Sequence, residues 1–166
     1  MGDSGFADCG LKELLFGEGT VSGLAIGNNA FSGNNLGQDA MTVTLPEGIV
    51  SIGDEAFAAG ENAALSAIVV PASVQSIGNR AFYNYKTVNS VTFSSAEGAA
   101  ESMTIGDEAF ANSSVSAVEL PANLNALGEN VFSGCMSFTT VSIPAENLVY
   151  ASSDGVLYNY DKTQIV

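Results

Sequence analysis

The 166-residue sequence contains no histidine, two cysteines, and four basic residues against eighteen acidic ones. Without histidine, a nucleophilic cysteine has no neutral base to take its proton, and a metal-binding one lacks its usual nitrogen partner. A net charge of −14 sets the chain against polyanions, so nucleic acid and anionic membrane are excluded as partners. No run of about 18 apolar residues occurs, so no membrane-spanning helix is expected. A basic-then-apolar secretion segment does not open the chain. Phosphate-cradling loops, dinucleotide fingerprints and nucleophile elbows are missing as well. Charged residues make up 13% of the chain and hydrophobic ones 46%, with much Ala, Ser and Gly. That balance suits a stack of units with small surface residues, not a disordered chain.

What is present is repetition. Phenylalanine recurs as Phe6, Phe31, Phe57, Phe82, Phe110 and Phe132, at spacings of 25, 26, 25, 28 and 22. Four positions before each stands Gly2, Gly27, Gly53, Gly78, Gly106 or Gly128, preceded in turn by Met1, Ile26, Ile52, Ile77, Ile105 or Leu127. The residue before each Phe is small or compact, and all four prolines (Pro46, Pro71, Pro121, Pro144) fall at one phase. Self-similarity of this period in several columns is the mark of a solenoid, in which each unit buries its apolar face only against its neighbours.

The cleanest unit is residues 65–82, LSAIVVPASVQSIGNRAF. Its opening Leu65-x-x-Ile68-x-Val70-Pro71 has the L-x-x-L-x-L spacing of a leucine-rich repeat, with Ile68 and Val70 on one face of a short strand. Matching triplets are Leu11, Leu14, Phe16; Ala40, Val43, Leu45; Val88, Val91, Phe93; Val115, Val118, Leu120; and Phe138, Val141, Ile143. Proline then ends the strand, because it lacks an amide donor. Gly78 is expected to supply an unusual backbone angle, and Asn79, with its counterparts Asp54 and Asp107, to cap a short helical turn. These residues resemble the bacterial BspA-like leucine-rich repeat family, whose units read roughly I-G-x-x-A-F and then L-x-x-V-x-I-P. The resemblance covers nearly the whole chain. Gly17 and Ser94 replace the proline, and residues 17–23 and 94–102 read as longer loops on the convex side.

Candidates for chemistry reduce to a few. Cys9 and Cys135 each lie three residues after a column Phe. Five stacked strands at about 4.8 Å put them about 24 Å apart, so both are expected to be free, buried thiols. The pairs Asp54-Glu55 and Asp107-Glu108 suggest carboxylate catalysis or calcium, but adjacent residues of a helical turn point apart, and a ladder of caps accounts for the column. Of Tyr83 and Tyr85, one is expected to face inward and one outward. Residues 154–166 read as two short strands around a polar turn, similar to the D-G-V-L-Y segment that BspA-like proteins place between groups of repeats.

The expected architecture is a right-handed solenoid over residues 1–148, of about five to six units with the first partial. Each unit holds one short strand, in a parallel sheet on the concave face, and an irregular or short helical return. Residues 149–166 form a hairpin-like junction to a following repeat array. The chain reads as a piece of a longer protein, since it opens in mid-phrase and closes without a polar capping unit. The resemblance implies a non-catalytic interaction or adhesion module, secreted or displayed on a bacterial surface. It would bind a host matrix protein, another cell or a glycan, and use no cofactor or metal. The alternatives are a stalk or spacer within a larger surface protein, and an enzyme-associated repeat domain. Outward strand positions would line up across units as two columns: Glu13, Thr42, Ala67, Ser90, Ala117, Thr140, and Leu15, Thr44, Val69, Thr92, Glu119, Ser142. They carry little charge in so acidic a chain, which suits close approach of a protein or glycan. The plainer reading is that small β-formers fit exposed strand positions.

Overall fold

The computed structural model describes residues 2–16, 22–37, 42–95 and 100–166. The chain winds as a β-solenoid with two parallel sheets. The front sheet is built from the L-x-x-L-x-L stretches: β2 (Thr42–Thr44), β4 (Ala67–Val70), β6 (Ser90–Phe93), β8 (Ala117–Glu119) and β10 (Thr140–Ser142). The back sheet takes the residues that lead into each column glycine: β1 (Leu24–Ile26), β3 (Ile49–Ile52), β5 (Ser76–Ile77), β7 (Met103–Ile105) and β9 (Leu124–Leu127). The return half of each unit is therefore a second strand plus turns, and the described residues contain no helix. The helical turn expected after each glycine is replaced by main-chain bonds that run between units. Each Phe amide donates to the carbonyl that precedes the next Phe, as from Phe57 to Ala81 and from Phe82 to Ala109 at 2.8 Å.

That stacking also corrects the roles of the glycine and its polar neighbour. None of the column glycines takes a positive φ. From Gly27 on they are glycines because the units lie too close for anything larger: a Cβ on Gly78 would sit 2.5 Å from the amide nitrogen of Asp54, and one on Gly128 2.5 Å from that of Asp107, whereas Gly2, with no preceding unit, has open space there. The positive φ falls two residues later, at Ser4, Asn29, Glu55, Arg80, Glu108 and Asn130, all between 52° and 56°. Non-glycine residues hold this left-handed conformation because their amides are drawn to the next unit's carbonyls, as from Arg80 to Asp107 at 2.8 Å. The Asp/Asn column caps no helix. Oδ1 of Asp3, Asn28, Asp54, Asn79 and Asp107 each accepts the amide of the equivalent residue one unit on, at 2.7–2.9 Å.

Between the sheets runs a stack of rings. Phe6, Phe31, Phe57, Phe82, Phe110 and Phe132 follow one another at 5.2–5.8 Å between centroids, with planes within 15°. Phe31, Phe57, Phe82 and Phe110 are fully buried, whereas Phe6 is 44% exposed. Tyr85 is buried too, and burial raises its phenol above the ordinary value. Tyr83 lies outside, under the guanidinium of Arg80 at 4.0 Å. Cys135 is buried near Ser113, but Cys9 is exposed, so only one of the two free thiols has the expected burial. The two are not equivalent because Cys135 packs beneath a complete unit and Cys9 lies on the first turn, beside the half-exposed Phe6.

The chain closes with an antiparallel hairpin of β11 (Tyr150–Ser153) and β12 (Val156–Asn159). Asp154 and Gly155 form its turn, both at positive φ. The strands thus begin earlier than expected, and Ile165 returns to bridge Tyr158 beyond a second turn. Asn147 pins the hairpin to the solenoid. Its buried amide donates to the carbonyls of Ala122 and Leu124, while its oxygen accepts the amides of Val149 and Tyr150. Tyr150 adds its hydroxyl as acceptor for the Leu127 amide at 3.0 Å.

Of the remaining expectations, residues 11–16 form no strand, although Leu11, Leu14 and Phe16 turn toward the core. Met1, Ala40, the side chain of Thr42, and parts of the two expected loops (17–21 and 96–99) lie outside the described residues.

Candidate functional site

The front sheet carries the two outward columns in register. Ala67 lies beside Thr42 and Ser90, and Val69 beside Thr44 and Thr92. Across the second pair of strands Ala117 faces Thr140 and Glu119 faces Ser142. Period-two alternation buries Val43, Ile68, Val91 and Val118, which leaves their neighbours outside. Thr44, Thr92, Ala117, Glu119, Thr140 and Ser142 are exposed, and Ala67, Val69 and Ser90 are half-buried. Glu13 and Leu15 are exposed as well, Leu15 at 76%, but they sit on the strandless first stretch and do not join the sheet.

The front sheet is not continuous. β2, β4 and β6 form one ladder and β8 and β10 another, with no strand pairing recorded between β6 and β8 among the described residues. The units remain joined just ahead of the gap, where the Ser114 amide donates to Val88 at 2.8 Å. Beyond it the Leu120 amide donates to the Ser142 carbonyl, continuing the ladder of β8 with β10. The gap falls where the longest Phe-to-Phe spacing, 28 residues, is followed by the shortest, 22. Extra residues follow directly on β6, and Asn123 holds that segment by donating to the Ala100 carbonyl at 2.7 Å.

A cleft of about 560 Å³ opens at this place. Ser90, Thr92, Ala117 and Glu119 line it, so the break gathers four of the outward residues into one concavity. Phe93, Ser94, Pro121, Asn123 and Pro144 complete its walls, and sequence reasoning did not single these out as a site. The available signal was the uneven spacing of the phenylalanines. Glu119 is the charged residue of the lining among the described residues. Strand edges that lack a ladder partner present main-chain donors and acceptors to the opening.

The acidic pairs do other work. Oδ1 of Asp54 and of Asp107 is taken by the inter-unit ladder. Glu55 and Glu108 flank Arg80 at 3.2 and 3.4 Å, in a half-exposed ion-pair row. No group of three metal-ligating side chains occurs among the described residues. A second, apolar cavity of about 300 Å³ lies between the last unit and the hairpin, lined by Leu127, Phe132, Phe138, Leu157 and Val166.

Comparison with known proteins agrees with this geometry. The pattern of the BspA type leucine rich repeat region matches in six copies, over residues 1–103 and 58–164. Among solved structures, the pneumococcal vaccine antigen PcpA is similar at 31% identity and a TM-score of 0.70, over 84% of this chain and 33% of the antigen. A leucine-rich cell-surface protein of Faecalibacterium prausnitzii shares the fold at 22% identity and a TM-score of 0.55, over 81% of this chain and 40% of its own. A leucine-rich repeat protein of Eubacterium ventriosum does so at 22% and 0.52, over 74% and 37%. The chain thus spans about a third of the antigen's length. No curated protein matches.

Proposed function

Because the chain belongs to the BspA-type leucine-rich repeat family, we propose that it is a non-catalytic interaction or adhesion module of an extracellular or surface-displayed protein, binding a protein or glycan partner through its front sheet. The observation that carries this reading is the front sheet itself: exposed small and hydroxyl-bearing side chains in register, interrupted by one cleft. Such a face lets a partner approach without stripping water from many charges. The similarity to a pneumococcal vaccine antigen and to a protein described as cell-surface supports the location. The hairpin at residues 149–166 would serve as the junction to a further repeat array, presenting the exposed Tyr160 and Ile165.

The test compares two triple variants of equal charge. Thr44, Val69 and Thr92 are changed to Lys on the front sheet, and Ser51, Ser76 and Ala126 to Lys at outward positions of the back sheet. Binding to immobilised matrix proteins and oligosaccharides should fall in the first and persist in the second. Loss confined to the back-sheet variant would defeat the proposal, and a parent chain that binds none of them would leave the spacer as the better account.

A further inference from the structure

Building on that reading of the front sheet, we propose that the cleft between β6 and β8 receives a basic side chain, lysine or arginine, from a protein partner. Its volume, about 560 Å³, lies in the range of about 300–1,000 Å³ typical of ligand clefts. The chemistry of its walls selects among occupants. Glu119 is exposed and supplies a carboxylate; among the described residues it enters no ion pair, and no lysine or arginine lines the cleft. The hydroxyls of Ser90, Thr92 and Ser94 add oxygen acceptors for N–H donors. Ala117, Pro121 and Pro144 offer apolar surface beside these oxygens. An apolar stem with a cationic head matches that division, because the stem covers carbon while the head keeps to oxygen and water.

Other occupants fit less well. An anionic group would meet Glu119 and the field of a chain with net charge −14. A neutral sugar would use the hydroxyls but leave the carboxylate without a charged partner. The same field draws a basic partner in and speeds encounter. The opening also falls among strands that otherwise pair in ladders, so an inserted side chain would fix the partner's register.

The experiment is an NMR titration of the ¹⁵N-labelled chain with acetyl-Gly-Arg-Gly-amide, alongside acetyl-Gly-Glu-Gly-amide and maltotriose. With the arginine peptide, the amides of Ser90, Thr92, Ala117 and Glu119 should shift saturably. Glu119→Gln should weaken that binding about fivefold, the upper limit for an ion pair at an exposed carboxylate. Ala117→Phe, which fills the cleft from an exposed position without altering charge, should weaken it as much. Glu61→Gln removes the same charge from an exposed turn elsewhere and should change it less than about twofold. Shifts spread evenly over the acidic surface, or equal losses in the Glu119 and Glu61 variants, would overturn the proposal. Shifts in the cleft with maltotriose and not with the arginine peptide would also overturn it, while sustaining the front sheet as the binding face. Failure of that broader reading shows separately, as undiminished partner binding by the front-sheet lysine triple.

Discussion

Both sheets are built from five strands of the same units, yet only the back sheet runs unbroken from first to last. The back strands lead into a step with narrow demands. A glycine must face the previous unit's main chain, and an Asp or Asn oxygen must reach the next unit's amide. The front strands lead into turns that tolerate extra residues, as after β6. Irregularity is thus taken up in two ways: as bulges within a continuous back sheet, between β1 and β3 and between β7 and β9, and as a break with a cleft in the front sheet.

The contrast can be broken most severely at the rings that lie between the sheets. Phe82→Ala removes a fully buried ring stacked on both sides and should cost about 3–5 kcal/mol. Phe6→Ala should cost about 1–2 kcal/mol, since that ring is 44% exposed and stacks only on Phe31. Equal losses in urea unfolding would refute the stacked-unit account.

Gly78→Ala tests the back step directly. Its new methyl would lie 2.5 Å from main-chain nitrogen, so about 3 kcal/mol should be lost, the upper end of ordinary overpacking. The corresponding front-sheet control, Ala117→Val at an exposed position, should stay within about 0.5 kcal/mol. A back-sheet cost as small as the front-sheet one would end the distinction.

Tyr85 sharpens the comparison in alkali, because it packs in the unit that carries β6. Its folded pKa is raised by burial, so the stability it contributes is intact below about pH 10 and declines above it, by up to about 1.4 kcal/mol per pH unit. Tyr85→Phe should flatten that part of the decline. Parallel stability curves for parent and variant between pH 9 and 11 (roughly the range where a free phenol ionises) would show the ring to be hydrated.

The smallest effect concerns the side-chain ladder. Asn79→Ala deprives the Asp107 amide of its acceptor at 2.8 Å. Because the site is exposed, water replaces part of the bond and about 1 kcal/mol should be lost. Asn79→Asp keeps an acceptor oxygen and should stay closer to the parent. Thermal melts that place the aspartate below the alanine variant would argue against the ladder.

Much of this architecture was legible in the repeated letters. The glycine, phenylalanine and proline columns announce a solenoid, and the alternation around Ile68 and Val91 gives the outward face of the front sheet. The reason for each column was less legible. Gly78 reads equally as a special backbone angle or as a close approach, and only the position of Asp54 separates them. Asn79 reads as a helix cap because capping is the commonest use of Asn before a turn. Nothing in one unit reveals that its oxygen belongs to the amide of the next.

The sequence by itself determined the period, the ring stack and the residues that face solvent, because these follow from side-chain chemistry repeated at fixed phase. Tertiary structure decided the second strand in each unit, the left-handed residue after each Asp or Asn, the pinning of the hairpin by Asn147, and the cleft beside Glu119. Each of these depends on how one unit's main chain meets its neighbour's. That meeting is set by distances between residues 22 to 28 positions apart, which no local pattern contains.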